Sequence, residues 1–185
     1  MNLRYFLPFL ILSGIFVRAH GQVADKMPVF PDDWLGVWQG ELHIYRGQEV
    51  VQTVPMRVDN LPTATEDVYI WALTYGEDTI AGKRDYVLRP VDKAKGLWET
   101  DEQNTIKLDG RVVGNTYVSV FSVEKNTLMS RMSIEETGKM VFEIVVYEKD
   151  PSRVTGNSVS DGEKIPEVQS YKITGYQKAI LQKIR

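Results

Sequence analysis

From Gly36 to the C-terminus the chain alternates apolar and polar positions with a period of two. Between Glu49 and Asp59, Val50, Gln52, Val54, Met56 and Val58 stand against Val51, Thr53, Pro55 and Arg57. Tyr69, Trp71, Leu73 and Tyr75 stand against Val68, Ile70, Ala72 and Thr74. Further segments of the same kind run over residues 83–91, 96–100, 105–108, 116–123, 127–135, 140–147 and 169–177. Period two predicts strands with one face buried.

Turn formers separate the segments. Arg46-Gly47-Gln48, Glu124-Lys125-Asn126 and Thr137-Gly138-Lys139 read as tight hairpins, which make consecutive strands antiparallel neighbours. The pattern predicts an all-β fold, an antiparallel up-and-down β-barrel of about 8–10 strands, since closing a meander of hairpins removes its exposed edges. One long break, Lys149 to Pro166, is rich in Ser, Gly, Asn and Asp and reads as a mobile excursion or lid. The tail from Gln177 to Arg185 reads as a strand end or a short helix. Upstream, Asp32 or Asp33 is placed to cap a short helical turn at Trp34-Leu35.

The first strand carries Gly36-Val37-Trp38-Gln39-Gly40-Glu41-Leu42-His43-Ile44-Tyr45. Its inward set would be Trp38, Gly40, Leu42 and Ile44, with Trp38 plugging one barrel end and Gly40 leaving room for the indole or for a bend. This start resembles that of the lipocalin and calycin group of barrels, which have a Gly-x-Trp at the base of the first strand; here Gly36, Trp38 and Gly40 are the structural motif. The resemblance implies a lipocalin-like barrel and a basic side chain from a late strand over the Trp, for which Arg131 and Lys172 are candidates. A count of ten strands is closer to the fatty-acid-binding or haem-binding members. The haem-binding members use a His ligand, whereas His43 lies early and on the outward face, so no cofactor is expected.

The N-terminus sets the compartment. Arg4 precedes an apolar run from Tyr5 to Val17, and small residues follow in Ala19-His20-Gly21. This reads as a secretory signal over residues 1–21, too short to span a membrane as a helix. A lead-in segment (22–35) and a lipocalin-like β-barrel domain (36–185) follow, in a secreted or periplasmic protein with no integral membrane segment. Loss of Arg4 and Arg18 with the signal leaves 20 basic against 25 acidic residues, a net charge of −5, which argues against nucleic acid and anionic membrane surfaces as partners. The chain has no cysteine, so the core alone must hold the fold, and thiol nucleophiles and Cys-ligated metals are excluded. Of two histidines only His43 remains, and no metal site is expected.

Candidate site residues follow from parity and residue type. Trp71, Tyr86, Tyr117, Phe121 and Phe142 would supply aromatic walls to a ligand cavity, or simply fill a packed core. Arg84 and Arg131 would meet a ligand carboxylate if they reach the lumen; outward, they form cross-strand charge pairs. The acidic runs Asp101-Glu102 and Glu135-Glu136 lack the alternating spacing of a calcium loop and read as solvated turns. There is no Gly-x-Ser-x-Gly elbow, and a Ser-His-Asp triad would have to use His43. The reading is an exported, non-enzymatic binding protein that holds a small hydrophobic or amphipathic molecule in a barrel lumen. The alternative is a protein–protein module with a solid core; third comes an enzyme using acidic residues at the barrel mouth.

Overall fold

The computed structural model describes residues 28–185. The segment 1–21, expected from the sequence to be a signal, and the start of the lead-in lie outside them. In chain order the strands are β1 (Gly36–Arg46), β2 (Glu49–Pro62), β3 (Tyr69–Tyr75), β4 (Lys83–Arg84), β5 (Val87–Asp92), β6 (Leu97–Asp101), β7 (Lys107–Val113), β8 (Thr116–Val123), β9 (Asn126–Ile134) and β10 (Met140–Glu148). Four short strands follow, β11 (Arg153–Thr155), β12 (Ser158–Ser160), β13 (Glu163–Ile165) and β14 (Val168–Ser170), and then the long β15 (Ile173–Lys183).

The main sheet closes on itself. Every neighbouring pair is antiparallel, and the β2–β3 pairing joins the two ends into a barrel of ten staves, β4 and β5 acting as one interrupted stave against β3. The last strand departs from the alternation expected over residues 169–177. Residues 169–177 are not one strand: Val168–Ser170 belong to an arm, and β15 continues through the tail to Lys183. The reason lies in closure, because β1 needs a partner along its length, and β15 pairs with it from Tyr45↔Tyr176 to Trp38↔Lys183.

Alternation sorts the side chains as expected. Trp38, Leu42, Met56, Val58, Trp71, Leu88, Trp98, Tyr117, Met132 and Phe142 face inward and are almost fully buried. Outward positions carry Gln39, Glu41, His43, Arg131 and Lys178. Gly40 does not make room for the indole: a Cβ there would strike the Ile180 carbonyl and the Leu181 side chain, so its role is the close approach of β15.

One barrel end is plugged. A short 3-10 turn, Asp32–Trp34, crosses it, with no side-chain cap at its start; Asp33 instead accepts a hydrogen bond from the Val29 N–H at 2.6 Å. The Trp34 carbonyl accepts from Trp38 Nε1 at 3.0 Å and from Asn60 Nδ2 at 3.3 Å, which fastens the turn to β1 and β2. Phe30 then enters the barrel. Its ring stacks on Tyr117 (centroids 5.2 Å apart, planes 6° apart) and meets Trp34, Trp71 and Trp98 edge-on.

The cation over Trp38 comes from β15. Lys183 Nζ sits 5.3 Å from the ring centroid. Neither Arg131 nor Lys172 plays this part: Arg131 pairs with Glu143 and Lys172 lies near Glu148, both on the outer surface. Gly36 makes the contact possible. Its φ of +136° suits glycine, and a side chain there would collide with the Lys183 stem and the Arg185 carbonyl. The spacing Gly-x-Trp thus leaves a gap through which the lysine passes to the ring.

The excursion between β10 and β15 is an ordered arm rather than a structureless loop. β11 pairs with β14 and β12 with β13, giving a two-stranded ribbon almost entirely in solvent. Its base touches the barrel through Tyr171, edge-on to Tyr147 at 5.8 Å.

Because Phe30 is held by four aromatic neighbours, Phe30→Ala should lower the unfolding free energy by about 3 kcal/mol. Urea denaturation followed by tryptophan fluorescence measures it, and an unchanged midpoint would remove the plug from this account.

Candidate functional site

The lumen lies above the Phe30 plug and opens at the opposite end. Its volume is about 100 Å³. Trp71, Leu73 and Tyr75 of β3 form one wall, with Tyr86 beside them; Phe121, Met132, Phe142 and Ile144 form the facing wall. These positions line one cavity because each shares inward parity on its strand, and barrel curvature brings the parities together. The cavity is mostly apolar but carries a belt of hydroxyls: Thr100, Tyr117, Ser119 and Ser130.

The belt has a local cause. The Tyr117 ring lies flat across β7, over Gly110, where any Cβ would collide with its hydroxyl and ring. The phenol thereby reaches Thr100 Oγ1 at 2.9 Å. Ser119 donates to the Asp109 carbonyl at 2.6 Å. Burial pushes the Tyr117 phenol up to about 12, against a smaller downward pull from its Thr100 hydrogen bond. Burial also holds Tyr75 above the usual phenol range. Both are therefore neutral hydroxyls at any ordinary pH.

Of the expected ligand residues, Trp71, Tyr86, Tyr117, Phe121 and Phe142 line this cavity. The two arginines do not. Arg84 pairs with Leu73 across β3–β4 and so has inward parity, but it sits at the mouth, exposed, its guanidinium donating to the Ala81 and Lys83 carbonyls at 3.1 and 3.0 Å. Arg131 faces outward. Its partner Glu143 is mostly buried on the outer wall, 3.3 Å from Arg131 and 3.6 Å from Lys178, and accepts a 2.5 Å hydrogen bond from the Tyr176 hydroxyl. The β9 parity explains this: Leu128, Ser130 and Met132 point in, so Arg131 points out. The one charged residue that lines the lumen among those described is Glu102, at the mouth.

Sequence reasoning missed several of these residues. Thr100, Ser119 and Ser130 have inward parity, which was legible; their convergence on one level was not. Gly110 and Phe30 lay outside the predicted strands.

A second hollow lies under the plug, an open cleft of about 580 Å³ lined by Phe30, Tyr69, Trp98 and the Lys93–Asp67 ion pair. Phe30 lines this cleft and packs on Trp71 and Tyr117 of the lumen, so its ring stands between the two spaces. Among the described residues no three of His, Cys, Asp or Glu come together to hold a metal ion, and no helix is long and apolar enough to cross a membrane. No protein-family model matches the chain, and no characterised protein matches it.

The raised phenols fix a pH dependence. A phenol whose folded pKa exceeds its unfolded value of about 10 stabilises fully below pH 10, and that stability is lost as pH rises toward the folded value. Tyr117 alone should therefore remove roughly 2–3 kcal/mol between about pH 10 and 12. Urea midpoints across that range would show the decline, and Tyr117→Phe should flatten part of it. Gly110→Ala should displace the phenol and sharpen the effect of added alkali on tyrosinate absorbance; an unaltered titration would mean that the ring does not rest on Gly110.

Proposed function

We propose that this chain is an exported, lipocalin-like binding protein that carries a small hydrophobic or amphipathic molecule in its barrel. The observation that carries the reading is the mouth-open aromatic lumen above a plugged floor. A barrel built only as a scaffold would fill that space with side chains. The Gly-x-Trp start with Lys183 over the ring supports the likeness to the lipocalin group. The apolar run over residues 5–17 followed by small residues supports export to the periplasm or the medium.

Magnitude narrows the ligand. Pockets for drug-sized molecules run to roughly 300–1,000 Å³, and an apolar cavity of about 150 Å³ holds one benzene. A lumen of about 100 Å³ is smaller than that, so it takes a short alkyl end or the inner part of one ring, the remainder of the molecule standing in the mouth. Burial of about 150 Å² of apolar surface would contribute roughly 4 kcal/mol before the cost of association. That magnitude describes a reversible carrier of millimolar affinity at best from the lumen contact alone, rather than a permanent holder.

A second reading has its own support. The arm exposes Val154, Val159 and Val168 on a ribbon that makes little use of the barrel for its stability. Isolated two-stranded ribbons are marginal in water, which favours a protein partner for this part of the chain.

Native mass spectrometry of the protein purified from its own source tests the first reading. The expected result is a small noncovalent adduct that disappears in a Ser130→Phe variant, whose added ring fills the lumen. A bare polypeptide mass, with no gain on adding one-ring apolar compounds, would leave the second reading in its place.

A further inference from the structure

We infer that the lumen floor selects an uncharged ligand carrying a hydrogen-bond acceptor oxygen, which the Thr100–Tyr117 hydroxyl pair receives. This rests on the lumen being the binding site. Thr100 and Tyr117 are 6% and 5% exposed. Their two hydroxyls share one hydrogen bond of 2.9 Å, and neither has another partner among the described residues. Two hydroxyls own two hydrogens. One hydrogen is used between them, and the other finds no acceptor among the described residues, in a mostly apolar cavity. A buried donor without a partner is costly, and an acceptor placed there removes that cost by forming the missing bond.

Charge decides which acceptor. A carboxylate at the floor would be buried beside no cation, since neither Arg84 nor Arg131 lines the lumen. Placed at the mouth instead, it would meet Glu102, which does line it. Both positions disfavour an anion. The phenol itself stays protonated at neutral pH and remains a donor. A ketone, aldehyde, ester or alcohol oxygen on a short-chain body, or on a ring that stands partly in the mouth, fits both the volume and the polarity.

Three probes of equal ring size separate the possibilities: toluene, acetophenone and benzoate, titrated into the full chain and followed by NMR shifts of the Trp71 indole, Phe121 and Ile144. Acetophenone should bind about tenfold tighter than toluene, and benzoate weakest of the three. Thr100→Val or Tyr117→Phe alone leaves one hydroxyl with its hydrogen free, so each single variant should keep most of the preference for acetophenone. The double variant should abolish the preference, acetophenone then binding no more tightly than toluene. Equal binding of toluene and acetophenone to the unaltered protein, or tightest binding of benzoate, would overturn the acceptor assignment while the lumen remained the site. Failure of all three probes to shift lumen resonances would overturn the site itself. The ranking on the unaltered protein decides the matter even if the double variant does not fold.

Discussion

The closed end of the barrel rests on one carbonyl. Trp34 presents its backbone oxygen to the Trp38 indole and the Asn60 amide, and this pair of hydrogen bonds holds the crossing turn in place. With the turn fixed, Phe30 is delivered into the barrel among three tryptophans and Tyr117. Aromatic edge-to-face packing then fills a space that ten staves would otherwise leave hollow. The level of this plug sets where the lumen begins.

The site depends on that level. Tyr117 belongs both to the plug, through its stack on Phe30, and to the lumen, through its hydroxyl. Gly110 permits the double role, because the phenol can lie against β7 only where no Cβ stands. A ring that serves as floor and donor at once gives an apolar cavity a polar base without introducing charge. Among the described residues the one charge that lines the lumen is Glu102, at the mouth.

Much of the fold was legible in the chain. Alternation in residues 36–147 gave the strands, and turn residues gave their antiparallel order. Inward parity identified Trp71, Tyr86, Tyr117, Phe121 and Phe142 as one set. Parity left both placements of each arginine open, for two different reasons. Arg131 sits on an alternation between Leu128 and Ile134 whose two faces are both partly apolar, so the inward face was ambiguous. Arg84 has the inward parity but sits on a two-residue stave at the rim, where the wall ends and a long side chain turns to backbone carbonyls.

Local sequence determined the antiparallel meander, its inside and outside, and the tryptophan at its base, because period-two patterning and turn chemistry act over a few residues. Tertiary structure alone decided the rest. Strand β15 runs to Lys183 because β1 requires a partner, and that requirement spans nearly the whole chain. Lys183 reaches Trp38 because closure sets the two in register. The lumen stops where Phe30 enters, and a residue upstream of the first strand cannot announce from its neighbours that it will fill a barrel. The hydroxyl pair at the floor joins strands that meet only across the barrel wall, so it exists only once the sheet has closed.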